Sequence, residues 1–279
     1  MKKVWQEINR YNQTLLQRMC SMRMITFIIM LFFFMDLFLA AYRENVRMLG
    51  EQANIFVLPF LQTSKSFMKF AFLGVVYFYS NVPFMEKAEL FYLGKLGKIR
   101  WSLRNIYYIV MSAFIISGIF WIVSFLEVFT VSRVSPVWGS VLKTLSLTQG
   151  QSLFFQIPYG VMKEYSPMEL FGIIFILNWL VIMFLGLLMY VISLYGHKFL
   201  AGIIAIVIAF MPSVDILLGN MLVYYSPVSW LACNNWRIGY DPEKPGLSYI
   251  VVALLFLNFL LIVYGQKKAG QMEWRDEDV

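Results

Sequence analysis

The chain has 279 residues, 60% of them hydrophobic and only 14% charged, with a formal charge of +7. Water-soluble domains run nearer about 45–50% apolar and about 25% charged, and no hydrophilic stretch here is long enough for a separate soluble core. That excludes a soluble enzyme or nucleic-acid-binding domain and predicts one all-α integral membrane domain over residues 1–279. The basic excess is the loop charge that orients membrane proteins, so no nucleic acid is expected.

Residues 1–23 open the chain with Val4, Ile8, Tyr11, Leu15, Met19 and Met22 at helical spacing, a stripe that Trp5 and Leu16 widen. This predicts an amphipathic helix along the membrane surface, its basic residues toward anionic lipid headgroups. Packing on another protein chain is the alternative. Met24–Ala41 has no small-residue cleavage site after it and is expected to stay as a first span.

Five further spans are predicted: roughly Ser64–Tyr79, Leu103–Leu126, Leu170–Leu194, Phe199–Leu218 and Leu247–Val263. The second is short and holds Lys69, and an apolar run broken by Pro59 precedes it. One helix kinked near Pro59 and a re-entrant segment leading into a helix both fit. Lys2, Lys3, Arg10, Arg18 and Arg23 precede the first span. Lys87, Lys95, Lys98, Arg100 and Arg104 fall between the second and third, and Lys267, Lys268 and Arg275 follow the last. The positive-inside rule then puts both termini in the cytoplasm of a multi-pass plasma-membrane protein.

Between the second and third spans, Pro83 suits the first turn of a short cytoplasmic helix. Glu86 and Glu89 suit its positive end, Lys95, Lys98 and Arg100 its negative end, and Gly94 and Gly97 the stop. Its apolar residues point two ways: Phe84, Ala88, Phe91 and Tyr92 share a face, while Leu90 and Leu93 do not. Such a helix needs two coverings, one of them a docked protein.

The order of these parts resembles the permease subunits of ABC-2-type transporters, with a flavour of Firmicute exporters. The amphipathic N-terminal helix is followed by a second span ending in Ser80-Asn-Val-Pro-Phe-Met-Glu86, then Gly94-Lys-Leu-Gly-Lys-Ile-Arg-Trp101 and a long third span. Pro136-Val-Trp-Gly-Ser-Val-Leu-Lys-Thr-Leu145 and Tyr165-Ser-Pro167 fit as well. The resemblance implies a coupling helix in the 81–102 loop, seated on a separate ATP-binding cassette subunit through Pro83, Phe84, Met85, Glu86, Glu89, Leu90, Phe91 and Leu93. It further implies an interface helix carrying Val4, Trp5, Ile8, Tyr11 and Leu15, short re-entrant helices in 219–246 on the outer side, and a second permease copy or paralogue. ATP and Mg would sit on the partner, with no cofactor on this chain.

The motifs agree with a non-enzymatic role. Gly-x-x-x-x-Gly-Lys-Ser/Thr does not occur, and neither do Gly-x-Ser-x-Gly or His-Glu-x-x-His. The single histidine, His197, has no companions for a metal site. Within the spans, Asp36 and Asp215 are the acids away from the ends, and neither has a base four residues away. Asp36 either lines a substrate route, pairs across helices or reaches the headgroups; Asp215 reads as a headgroup-level residue. Asn178 is a second candidate for a substrate path, or a hydrogen bond between helices. The expected function is export of an amphiphile, whether peptide, lipid or drug. A membrane sensor or scaffold and an ion-coupled carrier are the alternatives.

Overall fold

The computed structural model describes residues 2–83, 94, 97–148, 153–214, 221–239 and 243–271, with the side chains of 2–10, 221 and 222 left aside. In chain order the helices are α1 (Lys2–Met19), α2 (Met22–Leu49), α3 (Leu58–Leu61), α4 (Lys65–Tyr79), α5 (Lys98–Val128), α6 (Gly139–Leu147), α7 (Tyr159–Glu164), α8 (Pro167–Ser193), α9 (Lys198–Val214) and α10 (Leu247–Gln271). Three short 3-10 turns, Met221–Tyr224, Ser229–Leu231 and Cys233–Asn235, lie between α9 and α10. The expectation of an all-α chain holds apart from one parallel two-residue bridge, β1 (Ala53–Asn54) with β2 (Ser132–Arg133).

Helices α2, α5, α8 and α10 are long and apolar enough to cross a membrane. At 15 and 17 residues, α4 and α9 reach only about 22–26 Å at ~1.5 Å per residue. Side-chain contacts fix the directions. The Trp179 indole donates to the Val110 carbonyl (3.0 Å), Ser117 to that of Phe175 (2.9 Å) and Tyr190 to the Ser102 hydroxyl (2.9 Å), so α5 and α8 run antiparallel. Phe27 meets Phe78 while Phe38 meets Phe67, which makes α2 and α4 antiparallel. Asn258 donates to the Leu180 carbonyl and Gly265 lies on Tyr190, so α10 runs parallel to α8. One end of the bundle therefore carries α1 and the last turn of α10. The other, called here the loop end, carries residues 50–64, 129–148 and 153–166.

At the centre is α8, packed on α4, α5, α9 and α10. Its start is built into the sequence: Ser166 accepts from the Glu169 amide, Glu169 accepts from the Ser166 amide, and Pro167 occupies the first turn. Close approach comes from a glycine. A Cβ on Gly186 would stand 2.8 Å from Ile109 Cγ2 and 3.1 Å from the Tyr79 ring, so only hydrogen fits between α4, α5 and α8. The surface is the reverse of a soluble protein's: Phe32, Phe33, Phe256 and Phe259 are all exposed.

Two differences from the sequence reading matter. Hydropathy ends the first span at Ala41, yet α2 runs eight residues further, to Leu49, and stops where Gly50 takes a left-handed φ of 68°. Its charges are tolerated because Arg43 has partners, described below, while Tyr42 and Val46 stay buried. Ahead of α4, where the sequence left a kinked helix or a re-entrant segment open, the chain forms a buried, largely non-helical stretch and not one kinked helix. Residues 53–64 are all buried and contain the separate turn α3, and Ser64 then caps α4 by accepting from the Phe67 amide.

Candidate functional site

Three clusters of polar groups stand out, one at the terminal end and two at the loop end. At the terminal end α1 packs on the first turns of α5. Tyr107 donates to Asn12 (2.7 Å), Arg18 donates to Asn105 (3.1 Å), and the Arg18 guanidinium lies 5.1 Å from the centre of the Tyr108 ring. Of the interface residues read from sequence, Leu15 is buried and Tyr11 half-buried with its ring 5.7 Å from that of Tyr107. This half of the helix thus covers its own chain, and Leu16 is the exposed neighbour. Val4, Trp5 and Ile8 lie on α1, with side chains outside the description. Pro83 is buried in the turn that leaves α4. Phe84, Met85, Glu86, Glu89, Leu90, Phe91 and Leu93 lie outside the described residues, as does Asp215.

The second cluster is an ion triad at the loop end of α2 and α5. Arg43 donates to the Glu127 carboxylate at 2.5 Å and also pairs with Asp36, two turns back on its own helix. The Glu127 side chain is 4% exposed, whereas that of Asp36 is 53% exposed. One guanidinium therefore serves two acids, and the second Glu127 oxygen, Oε1, has no hydrogen-bond partner. Asp36 is an ion-pair residue here. The signal for Arg43 was available as a seven-residue spacing, but Glu127 is visible only once α5 is placed beside α2.

The third cluster lies where two irregular segments meet. Segment 53–64 packs on the largely buried stretch Ser226–Trp236, and the Cys233 thiol donates to the Pro59 carbonyl (3.4 Å). Backbone outside a helix is tolerated at membrane depth only when protein covers it. Here Gln62 donates to Asn178 (2.8 Å), eleven residues and about 16 Å along α8. Both amides are fully buried, so Asn178 joins segments and does not line an open path. Thr63 donates to the Gln156 carbonyl and accepts from the Gln156 amide, and Asn234 donates to the Gln156 side chain.

Beside this network opens a cavity of about 810 Å³ whose lining combines polar Thr63, Ser64, Lys65, Gln156 and Asn234 with apolar Leu145, Leu153, Phe154 and Ile157. A small polar pit that includes Gln62, Thr63, Lys65 and Asn234 adjoins it. Neither Asp36 nor Asn178 lines the cavity, so the structure does not bring those two residues into one path. Among the described residues no group of His, Cys, Asp and Glu could hold a metal ion.

No family model matches the chain, and neither curated proteins nor solved structures give a significant match. The physical reading therefore stands on the residues alone.

The two cysteines offer a direct check on this packing. Burial pushes the Cys233 thiol up to about 12, while Cys20 is exposed. The thiolate, which is the reactive form, is thereby disfavoured, and the buried sulfur is also out of a reagent's reach. Maleimide should therefore modify one cysteine in the folded chain and two after denaturation, with mass spectrometry assigning the first to Cys20. Rapid native labelling of Cys233 would mean that the 226–236 segment does not pack as described.

Proposed function

We propose that this chain is the membrane-spanning permease subunit of an ATP-driven ABC transporter, exporting an amphiphilic peptide, lipid or drug across the plasma membrane. In this reading six helices cross the bilayer with both termini cytoplasmic, and the buried 53–64 segment completes the crossing that α4 begins. ATP and Mg belong to a separate ATP-binding subunit, and a second permease copy or a paralogue completes the pathway. The alternating helix directions support the even count, and the loop end becomes the outer face.

The observation that carries the proposal is the firm anchorage at both edges of the connection between α4 and α5. Val82 and Pro83 are buried where the chain leaves α4, and Trp101 and Arg104 are buried where it joins α5. Within two further turns Asn105 and Tyr107 bind α1. A push on this connection would reach α4 and α5 together, with α1 moving as part of the same block. Both helices press on α8 at Gly186, so the displacement passes to the centre of the bundle. That is lever-type coupling, and it supports the ABC-2 resemblance of the 81–102 loop.

Reversing both acids, Glu86→Lys with Glu89→Lys, tests it in proteoliposomes holding the permease and its ATP-binding subunit. Substrate-stimulated ATPase should fall about tenfold or more, as expected for a like-charge juxtaposition costing several kcal/mol, with membrane insertion unchanged. Full stimulation removes the lever assignment. Labelling of Ala88→Cys by an impermeant reagent from outside intact cells would overturn the topology, and with it the transporter.

A further inference from the structure

We propose that the cavity beside Lys65 binds an amphiphile whose head carries an anionic oxygen, phosphate or carboxylate, with its chain laid against Leu145, Leu153 and Ile157. The lining holds one cation, Lys65, and no carboxylate. Among the described residues no acid pairs with that ammonium. Lys65 is the first residue of α4, a 15-residue helix. Its own amide and that of Ser66 have no acceptor within the helix, because the first turn never does. An anion at this place meets the ammonium and the positive helix end together.

A second observation points to a ligand independently of the helix end. Gln62, fully buried, is among the residues lining the adjoining pit, and its Oε1 has no hydrogen-bond partner. Asn234 Oδ1 is also unpartnered and borders both pit and cavity. Buried amide oxygens left without donors are costly; the pit, at about 10 Å³, has room for a single water on Gln62, and a head with an N–H or O–H group beside its anionic oxygen would satisfy Asn234 at the cavity. Leu145, Leu153, Phe154 and Ile157 add apolar lining, and about 810 Å³ lies within the ~300–1,000 Å³ of small-ligand sites. Lys65 suits a charged head and these residues a hydrocarbon chain. As a binding site this stands apart from the transport reading; as the place where substrate is held, it rests on that reading.

Radiolabelled dodecyl phosphate is titrated against the chain purified in a neutral maltoside detergent, without any ATPase, so failure here leaves the transport assay untouched. Saturable binding is expected, weakened about tenfold or more by Lys65→Gln, as the loss of a charge-assisted hydrogen bond requires. Lys65→Arg should keep most of the affinity, which separates the lost charge from a lost fold. Dodecyltrimethylammonium should not compete, and inorganic phosphate should compete only weakly. Unchanged binding in Lys65→Gln, or equal competition by the cationic analogue, overturns the proposal; equal competition by inorganic phosphate reduces it to a bare anion site and overturns the amphiphile. Maleimide labelling of Ser66→Cys then separates the sources. Protection in phosphatidylglycerol vesicles but not phosphatidylcholine assigns a bilayer headgroup, and protection only after adding dodecyl phosphate assigns a soluble amphiphile. Labelling at full rate in every case overturns the site.

Discussion

Arg43→Ala should lower the unfolding free energy by about 3–5 kcal/mol, the cost of leaving one partner of a buried ion pair uncompensated. The loss falls on Glu127, whose side chain is 4% exposed and already has one oxygen without a partner. Asp36 is more than half exposed, so its arm of the triad contributes at most about 1 kcal/mol. Equilibrium unfolding in mixed detergent and SDS micelles gives the comparison. Adding Glu127→Gln to Arg43→Ala should recover more than half of the deficit, because the stranded charge disappears. A single-variant loss under about 1 kcal/mol, or no recovery in the double variant, would show that the guanidinium is not holding α2 to α5.

Gly186→Ala should destabilise by about 1–3 kcal/mol, although alanine is the better helix former by about 1 kcal/mol. The added methyl would stand 2.8 Å from Ile109 and 3.1 Å from Tyr79, inside ordinary contact distance, with rings and branched carbons that have little room to yield. Gly172 on the same helix is the control. A Cβ there meets nothing within 4 Å, so Gly172→Ala should be neutral or slightly stabilising. Thermal aggregation midpoints of the two variants in one detergent would separate them. If both behave alike, the three-helix contact around Gly186 is looser than its geometry.

These two positions also show what a sequence can and cannot say. The long helices themselves were legible: the apolar run Leu170–Leu194 falls almost wholly within α8. The close packing at Gly186 was not, since a glycine in an apolar helix looks the same whether it faces lipid or a tyrosine. Hydropathy stopped the first span at its first cluster of charges because it scores each residue alone. Arg43 remains in the helix through partners seven and 84 residues away.

The cavity was further out of reach. Gln62, Thr63, Ser64 and Lys65 form a visible polar run between apolar stretches. Read linearly, that run is a loop at a membrane surface. It becomes a binding wall only because Gln156 and Asn234, from two distant connections, close on it. At the terminal end the stripe holding Tyr11 and Leu15 was expected to face the membrane or another protein chain, and here that half of it packs on this chain itself. Which surface covers it, α5 of the same chain, follows from Asn12 and Arg18 finding Tyr107 and Asn105.

Pro59 leaves the ribosome 174 residues ahead of Cys233, and Gln62 116 residues ahead of Asn178. Until those later stretches are synthesised, the Pro59 carbonyl and the Gln62 amide lack the partners they have in the finished fold, although Ala53–Ile55 can already pair with residues 131–133. In the six-span reading the nascent chain keeps the stretch holding them in a hydrated vestibule, or in the grip of the insertion machinery, until α8 and the 226–236 segment arrive. Biogenesis of this protein would be finished from its middle last, and an early pause in translation would strand the piece that cannot survive alone in oil.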